Sequence, residues 1–236
     1  MYRVSVHERP NEQAAAESPS AKNTLAHVKI PGYPYKRFFD LVILFVSHLV
    51  LLPIWLVLWV IIPLSIWFQD RGPIFYRQTR VGKNGKLFQI LKFRTMKMDA
   101  DVHAIWTSNG DIRVTWIGQF LRPRALDELP QIINVLKGDM SLVGPRALNV
   151  DEQRGLENKI PGFSERLRLE PGITGLAQVY DHMDDGHTKL HYDLEYIQRL
   201  SPWLDLKLIS QSAWNTLVGR WDRRAGKTDQ QNGSSS

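Results

Sequence analysis

Residues 41–68 read LVILFVSHLVLLPIWLVLWVIIPLSIWF, without a single Asp, Glu, Lys or Arg. Runs of more than about 18 apolar residues point to a membrane helix. As one straight helix the run would be ~42 Å long, against a hydrocarbon core of ~30 Å. Tilt alone would have to reach ~45°, beyond the usual range. Pro53 offers a different solution. It has no N–H for the Leu49 carbonyl, and its ring disfavours helical geometry at Leu52. A bend there leaves arms of ~18 and ~22 Å, each too short to cross.

The flanks extend the reading. Lys29, Lys36 and Arg37 lie upstream; Arg71, Arg77, Arg80, Lys83 and Lys86 lie downstream. Positive flanks stay on the cytoplasmic side, and here both are positive. A re-entrant helix–break–helix over residues 36–70 satisfies this, with Pro53 as the membrane break. A single kinked span is the alternative. Three of the 8 tryptophans, Trp55, Trp59 and Trp67, fall in this segment, and Trp favours membrane interfaces.

Around this segment the chain divides simply. Residues 1–34 are polar, lack apolar periodicity and have no signal-peptide core, so a disordered tail is expected; residues 222–236 read the same way. Residues 71–221 are expected to form one catalytic domain. The chain has no cysteine, which excludes disulfides and thiolate chemistry. Its net charge of +6 suits an anionic partner such as a nucleotide or a membrane surface.

Within residues 74–96, IFYRQTRVGKNGKLFQILKFRTM predicts a basic β-hairpin turning at Asn84-Gly85. Residues 99–119 predict a helix and then a loop, with a turn at Asn109-Gly110-Asp111. Residues 126–136 predict a helix, and Pro171-Gly172 a turn. Residues 189–200 and 202–218 predict two more helices, the second N-capped by Ser201. In that helix Trp203, Leu206, Leu208, Ile209, Ala213, Trp214 and Leu217 fall largely on one face, suited either to the membrane interface or to the core. The fold class is therefore mainly α with a small β-hairpin.

The chemistry concentrates in ALDELPQIINV, residues 125–135. Asp127 is placed to N-cap the helix, with Glu128 favoured at its positive end and Pro130 in the first turn. A helix start also stabilises a carboxylate by ~0.3–1 kcal/mol, keeping it ionised to attack phosphorus or hold a metal. Arg122, Arg124 and, after the Gly144-Pro145 turn, Arg146 are available to neutralise charge, as phosphoryl transfer requires.

Taken in order, KRFFD, GPIFYRQTRVGKNGKLFQILKFRTM, LDELPQIINVLKGDMSLVGPR, RLRLEPGITGLAQV and YDLEYIQRLSPWLDLKLI resemble the bacterial sugar transferase family, the monotopic polyprenyl-phosphate sugar-1-phosphate transferases of compact single-hairpin type. The likeness covers residues 36–217. It implies a re-entrant membrane helix, interfacial amphipathic helices and a small catalytic domain on the cytoplasmic face of the bacterial inner membrane. It implies that a UDP-sugar, usually a UDP-hexose, gives its sugar-1-phosphate to undecaprenyl phosphate and releases UMP. Asp127 would be the nucleophile that forms a phosphosugar-enzyme, with Glu128 assisting. Both would ligate Mg²⁺, the implied cofactor. Arg146, Lys92, Arg94 and Arg122 would bind phosphate. Physics agrees that such a site needs cations. At an effective dielectric of ~20, two like charges ~4 Å apart repel by ~4 kcal/mol.

The chain departs from the family pattern at Leu52, Ala125, Ala147 and Tyr180-Asp181-His182. The stretch DHMDDGH, residues 181–187, fails as a calcium loop because its twelfth position is Tyr192, not Glu. A membrane-bound interaction protein is the competing class. A nucleic-acid partner is excluded for want of any recognised motif. Inner-leaflet lipid is an implied partner, and a homodimer is compatible with the sequence. The sugar and the pathway, whether capsule, exopolysaccharide or O-antigen, are not encoded legibly.

Overall fold

The computed structural model describes residues 32–98, 111–181 and 185–221. The tails expected at 1–34 and 222–236 therefore lie almost wholly outside the described residues. So do the expected helix start at Asp99, the Asn109-Gly110 turn and the centre of the 181–187 loop.

The apolar segment forms two helices, α1 (Tyr35–Val50) and α2 (Leu52–Asp70). They extend beyond the apolar run to ~24 and ~28 Å, longer than the sequence suggested. The break falls at Leu51, with φ −105° and ψ 26°, and Pro53 sits in the first turn of α2. That is where a missing N–H costs nothing. Side chains hold the bend. The Trp55 indole N–H donates to the Ser47 carbonyl at 3.2 Å, and its ring stacks on His48 at 4.1 Å. These contacts act where Leu52 offers no hydroxyl.

Each arm buries one face and leaves the other bare. Leu44 of α1 packs with Phe88, Ile90, Ile132, Val135 and Met140, and Trp55 lies against the same cluster. Ile62 and Ile66 of α2 pack with Phe93, Ile117 and Leu121. Phe45, Leu49, Val50, Ile54, Leu56, Val57 and Ile61 are exposed. Soluble proteins rarely leave so large a contiguous apolar surface bare.

The outer ends of the pair are tied to the domain below. Lys36 Nζ lies 3.0 Å from Asp205 Oδ2, both buried. Arg37 donates to the carbonyls of Val135 and, at 2.8 Å, Leu136. At the far end of α2, both Arg94 Nη atoms bond Asp70.

β1 (Phe75–Val81) and β2 (Leu87–Phe93) form the expected antiparallel hairpin, from Phe75 opposite Phe93 to Val81 opposite Leu87. Its turn places Asn84 at φ 53° and Gly85 at φ 78°, the positive values that this pair of residues tolerates. Short α3 (Trp116–Leu121) is N-capped by Thr115. Next come α4 (Gln131–Lys137), β3 (Ser141–Val143), α5 (Val150–Lys159), β4 (Gly172–Thr174), α6 (Leu176–Tyr180), α7 (Gly186–Gln198) and α8 (Pro202–Val218). β3 and β4 pair in parallel, a second sheet not expected from the sequence. Gly172 is thus a strand residue rather than the end of a turn. A Cβ there would sit 2.1 Å from the Gly144 amide nitrogen, so the glycine permits close backbone packing.

Ser201 caps α8 as expected, its Oγ accepting from the Leu204 N–H at 3.2 Å. The face drawn from the sequence divides. Leu208 is fully buried, whereas Trp203, Trp214 and Leu217 are exposed.

Candidate active site

The acidic pair does not cap a helix. Leu126–Glu128 form a single 3-10 turn, and α4 begins only at Gln131, behind Pro130, with no side-chain cap. The cause lies one residue upstream. Ala125 adopts the left-handed conformation, φ 51° and ψ 22°, between the turns at 122–124 and 126–128. A non-glycine residue there stores ~1–3 kcal/mol of strain. The reversal lifts Asp127 and Glu128 out of helical register and turns them toward the hairpin.

Asn134, on the same short helix, fixes that orientation. Its Oδ1 accepts from the Leu91 N–H at 3.0 Å, and its Nδ2 donates to the Gln89 carbonyl at 2.8 Å. α4 is thereby locked to the strand that carries Lys92. Lys92 Nζ then donates to Glu128 Oε1 at 2.6 Å, and Arg146 Nη2 reaches the same oxygen at 3.1 Å.

Three of the residues expected from sequence therefore meet: Glu128, Lys92 and Arg146. Asp127 stands beside them within the field of Lys92, Glu128 and Arg122. Arg122 is held by the Thr95 hydroxyl at 2.9 Å. Arg94 is placed differently. Its guanidinium is buried against Asp70, where it anchors α2, and it does not line the cavity described below.

Electrostatics separate the two acids. Burial raises the Asp127 carboxyl well above the usual carboxylate range; Lys92 opposes this and Glu128 adds to it. Burial pushes Glu128 the same way, but Lys92 and Arg146 outweigh it and hold Glu128 far below its ordinary value. Glu128 is thus a fixed anion clamped by two cations. Asp127 has no salt-bridge partner among the described residues.

A cavity of ≈ 230 Å³, open to solvent, lies over Glu128. Arg80, Lys92 and Arg146 line it, with Gln131 and the apolar walls of Ile90 and Met140. Arg80 and Gln131 were not among the site residues drawn from sequence. Arg80 was visible only as one of many hairpin cations, and Gln131 only as a polar start to an apolar helix.

Arg146 follows β3 and is positioned by its backbone. Gly172 donates to the Pro145 carbonyl at 2.9 Å. Arg166 Nη2 donates to the Arg146 carbonyl at 2.7 Å, while its Nε bonds Asp193 at 2.7 Å and its Nη1 bonds Gln153 at 3.2 Å. Arg166 is buried; in the sequence it opens the motif RLRLEPGITGLAQV, where it was given no role.

Among the described residues no group of three His, Cys, Asp or Glu side chains is placed to hold a metal. Two adjacent carboxylates nevertheless fit a hard cation such as Mg²⁺. It takes one or two protein carboxylates and completes its shell with water and substrate phosphates. Asp127 and Glu128 would supply such carboxylates, with Glu128 Oε1 already shared by Lys92 and Arg146.

A carboxylate pair and a cluster of cations thus lie together beside a bare apolar helix pair. The chain belongs to the bacterial sugar transferase family, which it matches over residues 32–219. It is similar to the UDP-glucose:undecaprenyl-phosphate glucose-1-phosphate transferase of Klebsiella pneumoniae, at 38% identity over 193 residues, which is 79% of this chain and 41% of the relative. The protein of the same name from Caulobacter vibrioides is 41% identical over 162 residues, 66% of this chain and 61% of the relative. The undecaprenyl-phosphate galactose phosphotransferase of Salmonella typhimurium is 36% identical over 195 residues, 75% of this chain and 39% of the relative. The chain thus aligns with only part of each of these longer relatives.

Proposed function

We propose that the protein transfers a sugar-1-phosphate from a UDP-hexose to undecaprenyl phosphate, through a covalent intermediate on Asp127. The observation that carries this reading is the convergence of Lys92 and Arg146 on Glu128, beside an Asp127 that lies in the field of Lys92 and Arg122 without a direct ion pair among the described residues. The relatives' names support the substrate class, and the geometry is compatible with these roles.

In the proposed first step an Asp127 carboxylate oxygen attacks the β-phosphorus. The bond from that phosphorus to the bridging oxygen breaks, and UMP leaves with the electron pair. In the second step a phosphate oxygen of the polyprenyl phosphate attacks the same phosphorus. The Asp127–phosphorus bond breaks, the carboxylate is regenerated, and a polyprenyl diphospho-sugar is formed. Arg146 and Lys92 neutralise the charge that develops on the phosphoryl oxygens. Glu128 holds both cations in place before substrate arrives, so little reorganisation is needed. Mg²⁺, held by Asp127 and Glu128, would supply further neutralisation of the diphosphate.

We read α1 and α2 as a re-entrant pair in the cytoplasmic leaflet of the bacterial inner membrane. Support comes from their outer ends, since Lys36 and Asp70 are both tied to the one domain by ion pairs. A pair so anchored dips and returns. The domain is then held at headgroup level, where the lipid phosphate lies.

The test is direct. Full-length protein is incubated with undecaprenyl phosphate, Mg²⁺ and a panel of UDP-sugars, and UMP release is followed. One sugar should release UMP, and Asp127→Asn should abolish release while remaining folded. No UMP from any sugar overturns the reading; more than a few per cent activity in Asp127→Asn overturns the nucleophile assignment. Cysteines introduced near Lys29 and Lys86 should label from the same side of the membrane; labelling from opposite sides refutes re-entry.

A further inference from the structure

Two residues that line the cavity over Glu128 carry buried donors with no hydrogen-bond partner among the described residues. Arg80 Nε and Gln131 Nε2 are both inaccessible to solvent and without a hydrogen-bond partner. Such orphans are rare in folded proteins, because each costs about 1–3 kcal/mol. Both residues line the same cavity. The rest of Arg80 is fixed: Nη1 donates to the Ala147 carbonyl at 3.3 Å, and Nη2 to Gln78 Oε1 at 2.6 Å. Gln131 is fixed by burial, with only 2% of its surface exposed. These are rigid donors, held in place without acceptors.

Charge points to the missing acceptor. Arg80, Lys92 and Arg146 face one ionised carboxylate, Glu128, among the residues lining the cavity. Arg80 and Arg146 also repel one another, and Glu152 and Glu128 oppose that repulsion. The diphosphate of a nucleotide-sugar carries two negative charges and many acceptor oxygens.

We propose that Arg80 and Gln131 are diphosphate-binding residues of this site, completing a cradle with Lys92 and Arg146. This rests on the transferase reading above. Arg80 supplies a charged N–H from the hairpin, and Gln131 a neutral one from the start of α4. The donor's phosphates are thereby gripped from both sides of the acidic pair.

The experiment measures binding of UDP and uridine to the full chain in detergent or nanodiscs, by titration or by displacement. Wild type should bind UDP more tightly than uridine. Arg80→Met should weaken UDP by roughly 10–150-fold, the value of a hydrogen bond to a charged group, and leave uridine unchanged. Gln131→Met should weaken UDP by about 2–10-fold on the same scale. Arg80→Lys, which keeps the charge but loses the fork, should fall between wild type and Arg80→Met. It serves alone if Arg80→Met does not fold. Wild-type UDP affinity in the Arg80 variants overturns the inference. So does an equal loss of UDP and uridine, which would mark a structural role. Wild type that neither binds UDP nor releases UMP overturns the transferase reading instead.

Discussion

Arg166→Met should be among the most damaging substitutions outside the acidic pair. The Arg166 side chain is 1% exposed and that of its partner Asp193 2%. Three hydrogen bonds hold the guanidinium, to Asp193, Gln153 and the Arg146 carbonyl. Methionine fills much of the volume but leaves the Asp193 carboxylate buried beside an apolar chain. Breaking a buried pair in this way costs about 3–5 kcal/mol. For a domain of this size that is roughly 6–20 °C in Tm. The sign of the pH dependence follows from Asp193. Burial already raises its carboxyl above the ordinary value, with Arg166 and then Lys189 opposing. Without Arg166 the value rises further. A carboxyl raised on folding binds its proton more tightly in the native state, so the native state loses stability as pH climbs past the unfolded value of ~3.9. The deficit of Arg166→Met against wild type should therefore be small in acid and grow toward neutral pH. Adding Asp193→Asn should recover much of it. Thermal unfolding of wild type, both single variants and the double variant across pH gives the cycle. A loss below about 1 kcal/mol, or a deficit independent of pH, would refute the buried-pair argument.

Asp127→Asn should raise Tm near neutral pH when measured in chelator, because it removes a carboxylate whose ionisation burial opposes; a lower Tm contradicts that electrostatic picture. Lys36→Met should cost about 3–5 kcal/mol, since it strands the buried Asp205 and Asp40 carboxylates. Pairing it with Asp205→Asn should restore part of the loss, and no restoration counts against the ion pair. Arg94→Met and Asp70→Asn should each cost about 1–2 kcal/mol, between exposed and buried pair values, and affect turnover alike. Turnover lost in Arg94→Met alone would return Arg94 to phosphate binding.

The hairpin, the Ser201 cap and the helix–break–helix were legible because each has a local cause. Asn84-Gly85 sets a turn, Ser201-Pro202 starts a helix, and Pro53 interrupts one. The convergence of Glu128, Lys92 and Arg146 was legible only through the order of motifs, since no spacing along the chain predicts it. The cap at Asp127 was misread because Ala125 adopts a left-handed conformation that its residue type does not signal. β3 and β4 are three residues each, too short for any periodicity to register. Arg80, Gln131 and Arg166 were hidden for a shared reason. Polar side chains are expected outside, and only tertiary structure shows which ones are buried.

Lys36 and Arg37 entered the sequence reading as a positive flank, free to choose a side of the membrane. The fold gives them other work. Lys36 is buried against Asp205, and Asp205 Oδ1 accepts from the Tyr196 hydroxyl at 2.6 Å. That hydroxyl also lies 3.1 Å from the Val143 carbonyl. Asp40, one turn along α1 from Lys36, accepts from the Ser141 hydroxyl at 2.7 Å. Both ends of β3 are thus tied by buried polar contacts to the start of α1. Three residues past Val143 comes Arg146, held from the other side by Arg166. The charge count on that flank therefore loses its topological force, but a stronger constraint replaces it. The loop that presents Arg146 to the acidic pair is tied through β3 to Lys36 and Asp40, the residues that hold the start of α1 against the domain.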